Sequence, residues 1–147
     1  MTIVTIESFF TAMAQCFQDG DHRSVARTRV YPGAIYLEDE VIVLESAAAF
    51  VAFMENHCAR NYQMGVRRVQ NRVVAQSLSR TNNYSVWVVW QHFDAGGELL
   101  SATNARYICR DSIMGVPEVQ LVEYIDMPAC YKEADLDVMG APRRQSS

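Results

Sequence analysis

The order of its hydrophobic patterns constrains this chain most. Three helical patterns come first, and a run of four strand patterns follows from Val66 to Asp126. Consecutive strands joined by tight turns pair antiparallel, so helices followed by a meander predict an α+β domain. With 147 residues, half of them hydrophobic and a fifth charged, the chain is long enough to bury a single core and is globular.

The first helix pattern places Ile6, Phe9, Phe10, Met13, Cys16 and Phe17 on one face, with Thr5 as N-cap and Gly20 as stop. Asp21 caps a short second helix from His22 to about Arg27, and His22 is expected to be exposed. Pro32-Gly33 reads as a break, with extended pieces at Ala34 to Leu37 and Val41 to Leu44 on either side of an acidic turn. Ser46 caps a third helix whose apolar seam runs Phe50, Phe53, Met54, His57 and Cys58. The strands then run Val66 to Leu78, Tyr84 to Phe93, Leu99 to Cys109 and Val119 to Ile125. Turns are expected at Asn82-Asn83, Gly96-Gly97 and Gly115. The domain is expected to span residues 1–131, with 132–147 as a flexible tail.

Charge and cysteines exclude several classes. A net charge of −4 argues against nucleic-acid and anionic-membrane partners. The twelve arginines and one lysine read as a compositional habit. Neither a secretory leader nor a membrane span is expected, which points to a cytoplasmic protein. Cys16, Cys58, Cys109 and Cys130 have no metal-finger spacing, so no metal is expected and the thiols read as small hydrophobes.

Phe17-Gln18-Asp19-Gly20-Asp21 with Ser24-Val25-Ala26 resembles the first helical turn-over of NTF2-like (SnoaL-like, cystatin-like) domains. Val86-Trp87-Val88-Val89-Trp90, Gly97, Tyr107, Gly115 and the strand ending at Asp126 resemble the sheet of the same superfamily. The resemblance implies three N-terminal helices packed in the concavity of a strongly curved, mostly antiparallel sheet. The resulting cone commonly opens into a ligand pocket. It implies no one activity, because the superfamily holds cyclases, isomerases, epoxide hydrolases, dehydratases, oxygenase subunits and binding modules.

A Gly96-Gly97 hairpin pairs residues whose numbers sum to 193. Val86, Val88, Trp90 and His92 then share a face with Ser101, Thr103, Ala105 and Tyr107, and the resemblance makes that face concave. The same parity adds Val122, Tyr124 and Asp126 from the last strand. The expected pocket is aromatic: Trp90, Tyr107 and Tyr124, with Phe17, Tyr31 and Tyr36 contributing and Thr103 as a polar contact. His92 is the candidate general acid or base, with Asp126 as its partner; the competing reading is a structural histidine at a strand end. His57 reads as a histidine at the edge of the core. The opposite face carries Trp87, Val89, Phe93 and Leu121, which reads as a homodimer interface.

By offset, the positions a ketosteroid isomerase fills with its tyrosine, oxyanion aspartate and early-strand acid hold Met13, Ala105 and Leu37. Arg106, the one central-strand arginine near an epoxide-hydrolase constellation, points outward by parity. Two expectations follow. The first is a non-catalytic or accessory homodimer that holds a small apolar ligand without a cofactor. The second is a SnoaL-like enzyme using His92.

Overall fold

The computed structural model describes residues 5–126, apart from the side chain of Asp126; the tail expected at 132–147 lies outside the described residues. Helices α1 (Ile6–Asp19) and α2 (His22–Ala26) come first. They are followed by strands β1 (Arg29–Tyr36) and β2 (Val41–Leu44) and helix α3 (Ala47–Gln63). The meander β3 (Arg68–Gln76), β4 (Asn83–Phe93), β5 (Leu99–Asp111) and β6 (Pro117–Asp126) completes the chain.

The helix ends follow from local chemistry. Thr5 accepts from the Ser8 amide while Ser8 returns the bond, which satisfies donors left open at the first turn. Gly20 takes the left-handed conformation at φ 75° and ends α1. Asp21 and Ser46 cap α2 and α3 through the amides of Ser24 and Ala49.

The sheet order is β2-β1-β6-β5-β4-β3, antiparallel throughout except for the parallel pair β1–β6. Register shifts interrupt the β3–β4, β4–β5 and β5–β6 ladders, and such bulges bend a sheet. The result is an α+β domain with a curved, mostly antiparallel sheet around α1 and α3.

The expected register holds in the body of the central hairpin, where Val86 faces Tyr107, Trp90 faces Thr103 and His92 faces Ser101. The turn differs. Asp94 closes it through its own amide on the Glu98 carbonyl, and a bulge beyond it pairs Phe93 with Leu99 instead of Leu100. The preceding hairpin turns one residue earlier than expected, with Thr81 and Asn82 at φ 52° and 66° and Asn83 already bridged to Arg80.

The larger correction concerns β1. The chain does not break at Pro32-Gly33 but runs as a strand from Arg29. Proline cannot donate to a ladder, so β1 bulges there: Arg29 pairs with Val119 and pairing resumes at Ala34 with Leu121. Gly33 fits this bulge because a Cβ would sit 2.9 Å from the Val30 carbonyl oxygen.

The core lies between the helices and the inner sheet face. Phe10, Phe50, Val86, Val88, Tyr107, Cys109, Val119 and Val122 are almost fully buried. Phe10 meets Tyr107 edge-on at 4.9 Å between ring centroids. Among the described residues no helix is long and apolar enough to cross a membrane.

Candidate functional site

A cavity of about 60 Å³ lies between α3 and the inner sheet face. Its helical wall is the α3 seam Phe50, Phe53, Met54, His57, Cys58 and Asn61, which steps along the helix by threes and fours and gives the cavity a long axis. Its sheet wall comes from Trp90 and His92 on β4, Thr103 and Tyr107 on β5, and Val122 and Tyr124 on β6. Phe17 from α1, Arg29 and Ile35 from β1 and Val69 from β3 complete it.

Of the site residues expected from sequence, Phe17, Trp90, His92, Thr103, Tyr107 and Tyr124 line this cavity. Tyr36 does not. Its neighbour Ile35 is buried against the cavity, so strand alternation turns Tyr36 to the opposite, exposed side. Tyr31 also stays outside, donating its hydroxyl to the Ala26 carbonyl. Asp126 closes β6, paired with Asn104, but its side chain lies outside the described residues. His22 is buried, not exposed as expected, and packs 6.0 Å from the Phe17 ring.

His92 is 6 % exposed, and its Nδ1 lies 3.4 Å from the Ser101 hydroxyl. Burial lowers its pKa to about 4; His57, which also lines the cavity, pushes the same way, and a hydrogen bond with the Ser101 backbone opposes both. His92 is therefore a neutral imidazole at physiological pH, able to accept a proton or a hydrogen bond. His22 is lowered too, chiefly by burial, with His57 again contributing.

Trp90 donates its indole N–H to the Tyr107 hydroxyl at 2.8 Å. Burial pushes the Tyr107 phenol up to about 12, and the charge of nearby Arg29 pulls the other way.

Arg29 is the residue sequence reasoning missed. Its guanidinium carbon stands 4.8 Å from the Phe50 ring centroid and 5.8 Å from that of Tyr107. Its Nε is sealed from solvent and has no hydrogen-bond partner among the described residues. No sequence signal marks it, because β1 bulges between Arg29 and Ala34 and the alternation read from Ile35 does not carry across the bulge.

No group of three His, Cys, Asp or Glu side chains converges as a metal site among the described residues. No carboxylate among them lines the cavity.

No protein-family model and no curated protein matches the sequence. Solved structures do resemble the fold. An NTF2-like protein with a cystatin-like fold from Novosphingobium aromaticivorans is 12% identical. It superimposes with a TM-score of 0.63 over 88% of this chain and 85% of its own. A cystatin-like domain of unknown function from Nostoc punctiforme is 14% identical, with a TM-score of 0.64 over 90% of this chain and 81% of its own. A protein from Catenulispora acidiphila, solved in complex with S-DNPA, is 10% identical, with a TM-score of 0.57 over 79% and 87%. At these identities the likeness defines the fold, which is NTF2-like (cystatin-like).

Proposed function

We infer that this protein is a non-catalytic or accessory module that binds a small, largely apolar ligand in the cavity between α3 and the sheet. The observation that carries this reading is the cavity itself. Its walls are rings and aliphatic side chains, and a few polar groups (Arg29, Asn61, His92, Thr103 and Tyr107) converge on it. That one structural neighbour is a complex with S-DNPA supports the same use of the fold.

Ligand pockets commonly span roughly 300–1,000 Å³, so a cavity of about 60 Å³ takes a compact or slender ligand and widens for anything larger. The half-buried rings of Phe17 and Phe53 are the ones placed to move aside. Isothermal titration calorimetry with 1-hexanol tests the reading, using Val69→Phe to fill the cavity from β3. Saturable binding to the native chain, lost in a folded Val69→Phe variant, is expected. Equal binding to both would place hexanol elsewhere.

One observation favours an enzymatic reading as the alternative. His92, buried in the cavity wall and neutral at physiological pH, has the properties of a general base for a SnoaL-like reaction. This reading requires that His92→Gln abolish turnover of any substrate found while leaving the chain folded.

We also propose that the chain pairs with a second copy through the outer sheet face. Trp87, Val89, Phe93 and Leu121 are all half-buried there in a single chain. Arg68 lies over the Phe93 ring at 4.4 Å, and Arg106 pairs with Glu123 at 3.4 Å. An apolar strip edged by charge suits a soluble dimer interface.

A further inference from the structure

The end of the cavity where Arg29 meets Tyr107 is built from donors. The Arg29 Nε–H has no acceptor among the described residues. The Tyr107 hydroxyl accepts from Trp90, and no described residue accepts its own proton. The guanidinium also hydrogen-bonds the Tyr107 hydroxyl and lies against the Phe50 and Tyr107 rings and the Met13 sulfur, 4.0 Å from a terminal nitrogen. Arg29 joins no ion pair among the described residues, whereas Arg106 and Arg110 pair with Glu123 and Glu118 on the other face.

A sealed guanidinium N–H without an acceptor costs stability that a bound group would restore. The aromatic faces hold the cation by its π-system, but they do not accept the in-plane N–H. What fits is an oxyanion, which accepts from a guanidinium in its plane and from a phenol beside it. A neutral alcohol oxygen could accept from both donors, but it brings no charge to pair with the guanidinium.

We propose that Arg29 and Tyr107 bind the carboxylate of an amphiphilic small molecule whose apolar body lies along Met54, Phe53 and Trp90. This assignment rests on the cavity being the binding site, and it narrows the ligand class from apolar compounds to compact or slender organic acids. The cation–π contacts with Phe50 and Tyr107 hold the guanidinium in place before the ligand arrives, so little side-chain entropy is lost on binding.

The test compares hexanoate with 1-hexanol by isothermal titration calorimetry on the full chain, in the native protein and in Arg29→Met, Arg29→Lys and Tyr107→Phe. A charge-assisted pair is worth roughly tenfold or more in affinity. Hexanoate is expected to bind the native chain at least about tenfold more tightly than hexanol. Arg29→Met should weaken hexanoate far more than hexanol and so remove that preference. Arg29→Lys should keep part of it, and Tyr107→Phe should weaken hexanoate more than hexanol. If hexanol binds as tightly as hexanoate, the carboxylate assignment falls and the apolar-ligand reading stands. If neither binds, both fall. The sequence beyond Asp126 carries Glu133, Asp135 and Asp137. Tighter hexanoate binding in the E133Q/D135N/D137N variant would mean that a carboxylate of this chain competes for Arg29, and would overturn the assignment to a separate ligand.

Discussion

The Trp90 indole Nε1 donates a 2.8 Å hydrogen bond to the Tyr107 hydroxyl, and both side chains are buried. The two residues are not opposite each other: Trp90 faces Thr103, and Tyr107 faces Val86, four residues before Trp90 in β4. Ala105 sits between Thr103 and Tyr107 on the same face of β5, and its small side chain leaves room for the rings to meet above it. This bond ties the middle of the cavity wall to its Arg29 end.

Tyr107→Phe removes the acceptor and leaves a buried indole N–H unpaired. It should cost about 1–3 kcal/mol of stability, read as a lower urea midpoint with an unchanged slope. A variant as stable as the native chain would mean that water or another group replaces the hydroxyl.

His92 gives stability a pH dependence of known sign. Its pKa is about 4 folded against 6.5 unfolded, so between these values the unfolded chain binds more protons and stability falls as pH falls. The loss starts near pH 6.5, is complete near pH 4, and amounts to about 3 kcal/mol at most. His22, also lowered, adds to it in the same direction. Urea titrations at pH 7 and pH 4.5 should show a smaller pH effect in His92→Gln than in the native chain. An identical effect in both would mean that His92 is not protonated only on unfolding.

Gln18 on α1 clamps the edge strand β3: its Nε2 donates to the Arg67 carbonyl at 2.9 Å, and its Oε1 accepts from the Val69 amide at 2.8 Å. The side chain stands in for a neighbouring strand. Gln18→Ala should cost about 1–2 kcal/mol and speed hydrogen exchange at the Val69 amide. Unchanged exchange there would show that the clamp contributes nothing to the edge.

The proposed dimer predicts twice the chain mass by sedimentation equilibrium at micromolar concentration, and Val89→Arg should halve it. A native chain sedimenting at 16.6 kDa would remove the proposal.

The meander was legible because alternation and turn residues are local signals: the Val86–Tyr107 and Trp90–Thr103 pairs follow from one hairpin centre. The exact turn was not legible, because a bulge at Leu99 compensates for a different loop and leaves the same register behind it. β1 was cut short because proline normally ends a strand, and only its pairing with β6 shows the bulge that accommodates it. Arg29 was lost with that segment, and its role depends on the ring faces of Phe50 and Tyr107, which are distant in sequence. Tyr36 was misplaced because the acidic turn pairs β1 with β2 without showing which face of that hairpin meets the core.

The central claim is that the cavity admits a ligand, and the methionine methyls report it directly. Met54 is buried in the cavity wall, and Met114 is exposed on the β5–β6 turn. In ¹H–¹³C spectra of the methionine-methyl-labelled chain titrated with 1-hexanol, the Met54 resonance should shift saturably while that of Met114 stays fixed. A Met54 resonance that does not move up to the solubility limit, or that moves only in parallel with Met114, would contradict the account.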